Sequence, residues 1–427
     1  MKNILEQQKQ EAIRISNRTY VERDAGVKTA DILNTPLVKL ITGPRRAGKS
    51  VFAFLLLKQT DYAYLNFDDD DLLKSFSYEK LMEVLPQVYP GFKYLFIDEI
   101  QNLPEWELLV NKLHRRGYNL VLTGSNAALL SRELGSFLTG RFLPIQIFPF
   151  SFREFLRSKH CEFSASVIKT PEDHGMVLGW MKQYLNGGGF PECIINQGIA
   201  DEYLTVLFDS VLLKDVVKRF RIKNTQQLYT LANYLLTIYS APFTFTSVSG
   251  ILDLKSPTTA QKFVKFLEEP YLFFSLSRFD QKLQVQNKSP KKSYIVDNGF
   301  IKARSRELSP NSGRLLENLV FIELLRRGYK INRDLFYYRT HNNKEVDFLC
   351  RKGYQNDTLI QVCYDMGNTK TLQREISALH EANNELKPAN AIVLTWQEED
   401  HGRSDGICIL PVWKWLLDYA TITETTT

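Results

Sequence analysis

Residues Gly43-Pro44-Arg45-Arg46-Ala47-Gly48-Lys49-Ser50 spell G-x-x-x-x-G-K-[ST] between an apolar strand-like run, Leu37 to Thr42, and an apolar helix-like run, Val51 to Leu57. No other feature of the chain restricts its fold as much. The two glycines let the backbone curl so that successive N–H groups point at a polyphosphate, and a helix starting near Gly48 adds the positive end of its dipole. Lys49 is expected to reach the β- and γ-phosphates and Ser50 to ligate Mg²⁺, with Pro44, Arg45, Arg46, Ala47 and Val51 completing the cradle. The expected ligands are therefore ATP and Mg²⁺.

The next segments alternate strand-like and helix-like patterns. Asp61 to Phe67 reads as a second strand, and Tyr94-Leu95-Phe96-Ile97-Asp98-Glu99 as a third that ends in two acids. A strand of a parallel sheet, buried on both faces, delivers Asp98 to the edge that carries the phosphate loop, where it can hold Mg²⁺ through water. Glu99 is then placed to act as general base on the attacking water. A helix from Glu105 to Arg116 is closed by Gly117, and the strand that follows ends in Thr123-Gly124-Ser125-Asn126. Ser125 and Asn126 are candidates for sensing the γ-phosphate, with ordinary strand-end turn chemistry as the alternative. A fifth apolar strand runs from Phe142 to Phe148, preceded by Arg141. Arg141 fits an arginine finger, in cis or from a neighbouring copy, or a solvated side chain; Arg132 is the second candidate. Strands alternating with helices predict an α/β fold with a parallel sheet, helices on both faces and the ligand at the C-terminal strand edge.

At 427 residues the chain exceeds one ordinary domain. Its 44% hydrophobic and 24% charged residues suit a soluble globular protein rather than a disordered one. A net charge of +6 permits a nucleic-acid partner without requiring one. The 5 cysteines are scattered and never in C-x-x-C spacing, which argues against a disulfide framework or a zinc site and for a reducing, cytoplasmic setting. Met1 to Asp24 lacks the apolar core of a signal peptide, and no stretch has the length to span a bilayer.

Beyond the first domain, Gly187-Gly188-Gly189 lacks a following Gly-Lys and reads as a hinge or tight turn. From Thr225 the pattern is helical, with helices over Gln226 to Tyr239 and Thr246 to Leu254. A third starts at Ser256-Pro257, a capping serine and a proline at the first helical position. An extended run (Tyr271 to Leu276) and a basic loop (Lys282 to Lys292) follow, matching winged-helix organisation. Thr258, Thr259, Gln261, Lys262 and Lys265 would then face a major groove, with Lys288, Lys291 and Lys292 on the wing. Packing against the motor is the alternative. A helix from Ser312 to Arg327 and strands around Phe336 to Arg339, Glu345 to Cys350 and Thr358 to Tyr364 open the C-terminal part.

The segments G-P-R-R-A-G-K-S, F-I-D-E-I-Q, L-T-G-S-N, L-T-G-R-F, F-P-F-S-F-R-E-F, G-G-F-P-E, S-Y-I-V-D-N-G and K-E-V-D-F occur in this order. With them the chain resembles a family of bacterial and archaeal AAA-type ATPases. The resemblance implies a P-loop ATPase domain over 1–185, a winged-helix-like segment over 186–300 and a restriction-endonuclease-like domain over 301–427. In nucleases of that fold an Asp on one strand and a Glu-x-Lys on the next hold Mg²⁺. Asp347 matches the first acid and Glu317 the accessory helix acid, but Gln361-Val362-Cys363 stands where Glu-x-Lys is expected. Gln361 offers only a neutral oxygen and Cys363 no positive charge, so a vestigial metal site (Glu317, Asp347, Gln361) is expected, with Lys344 and Lys370 as substitutes for the lysine. The leading reading is an ATPase coupled to DNA or a protein partner, in a homo-oligomer if Arg141 works across copies. A slow ATP-dependent switch with a C-terminal interaction domain and an ATP-regulated nuclease are the rivals.

Overall fold

The computed structural model describes residues 1–24, 29–126, 140–161, 168, 170–304, 311–365, 369–398 and 406–417. The chain divides into two compact units, Met1–Pro149 with Glu269–Tyr271, and Phe150–Glu268 with Leu272–Thr427. The segment 150–185, which the resemblance groups with the ATPase domain, thus clusters with the second unit.

The first unit is the expected α/β domain. Its strands β1 (Val38–Thr42), β2 (Tyr62–Asn66), β3 (Tyr94–Asp98), β4 (Asn119–Gly124) and β5 (Phe142–Gln146) form one sheet in the order β2-β3-β4-β1-β5. Every pairing is parallel. Parallel strands covered on both faces need continuous apolar runs, and Leu40, Ile41, Leu95, Phe96, Ile97, Val121 and Leu122 are fully buried. The helix Lys49–Leu57 packs on the sheet through Phe54, whose ring centroid lies 5.2 Å from that of Tyr64 and 5.1 Å from that of Phe96. The N-terminal helix Lys2–Ser16 is pinned to β2 by Gln8, whose amide nitrogen donates to Asn66 O (3.1 Å) and whose carbonyl accepts from Asn66 N (2.9 Å). One topological detail controls the site: β4 lies between β1 and β3, so its C-terminal end separates the loop after β1 from the acids after β3.

The second unit begins with two helices that start on capping boxes, Ser151 with Glu154 and Thr170 with Asp173. Ser151 is the serine of the F-P-F-S-F-R-E-F segment. The second of these helices, Pro171–Gly187, ends at Gly188 with φ of 75°. An added Cβ there would lie 1.7 Å from Asp297 Oδ1, and Gly189 N donates to Asp297 Oδ2 at 2.7 Å. The triple glycine therefore terminates a helix over the buried carboxylate of the S-Y-I-V-D-N-G segment.

Helices Thr225–Thr237, Phe245–Ile251 and Pro257–Glu268 accompany a three-stranded antiparallel sheet of β6 (Ala241–Phe243), β7 (Phe273–Ser277) and β8 (Lys291–Ile295), ordered β6-β8-β7. The basic stretch 282–292 is not a continuous loop: it holds a short helix, Leu283–Lys288, and the start of β8. After the helix Ser312–Arg326 come β9 (Leu335–Arg339), β10 (Glu345–Lys352), β11 (Gln355–Cys363), the helix Thr369–Leu386, β12 (Asn390–Thr395) and β13 (Ile407–Pro411). Their sheet runs β13-β12-β11-β10-β9, antiparallel from β9 to β11 and parallel from β11 to β13. Among the described residues no helix is long and apolar enough to cross a membrane.

Candidate functional site

The loop after β1 turns sharply at Gly43, whose φ of 145° is open to glycine alone, and an added Cβ would lie 1.9 Å from Ile147 O. Gly48, at φ 91°, begins the helix that carries Lys49 and Ser50. Pro44, Ala47 and Lys49 are buried, Arg45, Gly48, Ser50 and Val51 half-buried, and Arg46 exposed with a φ of 66°. Lys49 Nζ donates to Pro44 O at 3.0 Å, folding its ammonium back over the loop. Arg23 braces the same loop: Nη1 reaches Ala47 O at 2.7 Å and Nη2 reaches Phe148 O at 2.5 Å. Arg23 lies outside every motif of the chain, so only the tertiary structure brings it here.

Asp98, at the end of β3, faces this loop across β4. Its Oδ1 accepts from Ser50 Oγ (2.9 Å) and from Thr123 Oγ1, and its Oδ2 accepts from Tyr64 Oη (3.2 Å). Burial, aided by the neighbouring Glu99, pushes the Asp98 carboxyl up to about 6 against the pull of Thr123, Ser50 and Lys49. Glu99 has a φ of 50°, unusual for a residue with a side chain, and its N–H donates to Thr123 Oγ1 at 3.0 Å. Gln101 Nε2 donates to Glu99 Oε2 and lies 3.4 Å from Ser125 Oγ.

Thr123, Gln101 and Ser125 thus fasten the two acids, and the sequence reading had singled out only Ser125 and Asn126 at this strand end. The parity of β4 carried the missing signal, since alternate residues face opposite sides of a strand and Ser125 follows Thr123 by two. Asn126 is buried at the same end, while Arg141 is exposed, its carbonyl accepting from Val38 N at 3.1 Å ahead of β5. Arg132 lies outside the described residues. Tyr271 Oη also reaches the unit's sheet edge, 3.0 Å from Thr42 Oγ1, the residue before Gly43.

In the second unit Glu317 and Asp347 converge, but around a lysine, and Gln361 joins them only through Asp347 N. Lys292 Nζ lies 2.6 Å from Glu317 Oε1, 3.1 Å from Glu345 Oε1 and 3.1 Å from Asp347 Oδ1. The sequence places Lys292 on the wing; its side chain is instead 1% exposed, enclosed by acids of the helix Ser312–Arg326 and of β10. Lys291, half-buried, donates to Gln286 O at 2.8 Å. Burial opposes the Lys292 charge, but the facing acids, Glu317 foremost, outweigh it and hold the ammonium protonated. Burial and then Asp347 push the Glu317 carboxyl up to about 8, although Lys292 pulls it down.

Gln361 accepts from Asp347 N (3.2 Å) through Oε1 and donates to Glu375 Oε2 (2.6 Å) through Nε2. Lys344 is not a substitute lysine either: its Nζ reaches Ser377 Oγ (2.5 Å) and Glu381 Oε2 (3.2 Å). The side chain of Lys370 lies outside the described residues.

Residues 35–156 match the AAA domain family, and 179–310 and 312–415 match two domains of unknown function. An uncharacterized protein of Methanocaldococcus jannaschii, MJ1544, is 33% identical over 401 residues, covering 90% of this chain and 88% of its own. An uncharacterized protein of Haemophilus influenzae is 30% identical over 424 residues, covering 94% and 98%. Among solved structures, the Walker-type ATPase PABY2304 of Pyrococcus abyssi shows 14% identity and a TM-score of 0.40, over 66% of this chain and 95% of its own. The AAA match spans both Gly43–Ser50 and Asp98, and with relatives alike along nearly their whole length the chain belongs to the one family that these two proteins represent.

Proposed function

We propose that the first unit binds ATP with Mg²⁺ and hydrolyses it to ADP and phosphate. The observation that carries this reading is the convergence on Asp98: the phosphate-loop serine bonds to it at 2.9 Å, and Glu99 follows it directly in the chain. Main-chain N–H groups from Gly43 to Ser50 and the Lys49 ammonium would bind the phosphates, Lys49 exchanging its contact with Pro44 O for them. A hydroxyl and a carboxylate already in contact suit a hard divalent ion, so Ser50 and Asp98 are the residues that would hold Mg²⁺. When bound, that ion neutralises charge on the β- and γ-phosphates.

Glu99 would take a proton from water as the water oxygen bonds to the γ-phosphorus and the bond to the ADP oxygen breaks. Gln101 keeps the Glu99 carboxylate oriented, Ser125 and Asn126 stand where a γ-phosphate could be sensed, and exposed Arg141 is available to a phosphate of this or a neighbouring copy.

Hydrolysis would be coupled to DNA or a protein partner through the second unit. The order helix, strand, two helices and two strands around the sheet β6-β8-β7, with the short helix Leu283–Lys288 between the last two strands, suits a winged helix. Its third helix exposes Thr258, Gln261, Lys262 and Lys265, with Thr259 half-buried. The order helix, three strands, helix and strand from Ser312 to Thr395 suits a restriction-endonuclease-like domain.

Lys49→Ala should abolish ATP binding and turnover, read by nucleotide titration and phosphate release; unchanged turnover would remove the assignment. Stimulation by DNA, weakening with salt, separates nucleic-acid coupling from a protein partner.

A further inference from the structure

The resemblance to restriction endonucleases implies a divalent cation among the acids of the C-terminal sheet, and these residues do not fit one. Such an ion takes about six or more oxygens at roughly 2.0–2.6 Å. Here Asp347 Oδ1 is held by Lys292 Nζ (3.1 Å) and Oδ2 by Val362 N (3.0 Å). Glu317 Oε1 receives both Lys292 Nζ (2.6 Å) and Tyr294 Oη (2.7 Å). Glu345 Oε1 takes Lys292 (3.1 Å) and its Oε2 takes Arg339 Nη2 (3.0 Å). An ammonium has three donors, and three separate carboxylates face them. Among the described residues no group of three or more His, Cys, Asp or Glu is arranged to hold a metal ion.

The charge count agrees with the geometry. Lys292 and Arg339 oppose Glu317, Glu345 and Asp347, and burial favours a proton on the one carboxyl left over. The lysine missing from β11, where Cys363 stands, is supplied from β8 instead. Its ammonium rests on the acids themselves, 2.6 to 3.1 Å from each.

We infer that Lys292 is the resident cation of this carboxylate cluster and takes the place of a divalent metal. The C-terminal sheet is closed to Mg²⁺ at these acids, and the contacts of Lys292 tie β8 to β10 through Glu345 and Asp347 and to the helix Ser312–Arg326 through Glu317. The inference is independent of ATP hydrolysis in the first unit.

The test is Mn²⁺ binding to the nucleotide-free full-length chain, followed by electron paramagnetic resonance, in the wild type and in Lys292→Ala, each with and without Asp347→Asn. The wild type should show no Mn²⁺ that depends on Asp347. Lys292→Ala should gain one such ion, which raises its unfolding midpoint by about 5 °C. Asp347-dependent Mn²⁺ in the wild type overturns the inference, as does a folded Lys292→Ala chain that takes up none. Should Lys292→Ala fail to fold, the triple variant Lys292→Met, Glu317→Gln, Asp347→Asn decides. Near-wild-type stability without a response to Mn²⁺ supports the ion-pair role, because the charges are removed together; collapse of that chain as well overturns it.

Discussion

Thr123→Val tests the geometry of the nucleotide site without touching a residue of the phosphate loop. The side chain is fully buried; its hydroxyl donates to Asp98 Oδ1 and accepts from Glu99 N at 3.0 Å. Valine keeps the shape, so no cavity term enters. A hydrogen bond to a charged acceptor contributes about 1.5–3 kcal/mol, and a buried N–H left without a partner costs about 1–3 kcal/mol. The added apolar methyl returns roughly 0.8 kcal/mol. The expected net loss is about 2–5 kcal/mol, which in a unit of this size lowers the unfolding midpoint by roughly 4–20 °C. Thr123→Ser, which keeps the hydroxyl, should lose much less. Differential scanning calorimetry of the nucleotide-free chains reads both values, and phosphate release should fall in the valine variant as Glu99 loses its anchor. A Thr123→Val midpoint within about 1 °C of wild type, or equal losses in both variants, would refute the claim that this hydroxyl fastens the acids.

Glu99→Gln should keep ATP affinity close to wild type while turnover drops by about 10²–10⁴-fold, checked by fluorescent-nucleotide titration beside steady-state phosphate release. Gly43→Ala puts a Cβ 1.9 Å from Ile147 O at a φ of 145°, so both ATP binding and the unfolding midpoint of the first unit should fall. Glu317 has a folded-state value of about 8, above its ordinary 4.5, so the folded state binds the proton more tightly than the unfolded one. Its contribution is therefore fully present below about 4.5 and is lost as pH rises through 8, by roughly a few kcal/mol. Glu317→Gln should flatten that decline in denaturant titrations between pH 5 and 9, and an unchanged pH profile would count against it.

The phosphate loop, its strand and helix, and the paired acids at the end of β3 follow from local signals: glycine at fixed spacing, apolar runs and a strand ending in Asp-Glu. Those signals are legible because each spans fewer than about ten residues. The helix at Pro257 and the strands β9, β10 and β11 were legible for the same reason, whereas the sequence reading does not single out β12 and β13. Strand order is not local. With β4 inserted between β1 and β3, Thr123 becomes the bridge between loop and acids; strand parity puts it on the same side as Ser125, but only the strand order brings Asp98 and Glu99 to it.

Lys292 is the sharper case. A run of lysines before a strand looks solvated in sequence, because a buried ammonium is costly unless acids surround it. Here those acids come from 25 residues (Glu317) and 55 residues (Asp347) further along the chain, on a helix and a different sheet. The sequence by itself determined a phosphate-loop domain and the acids that face it. Tertiary structure alone decided which hydroxyl holds those acids and which cation sits among the others, because both depend on strand order and burial.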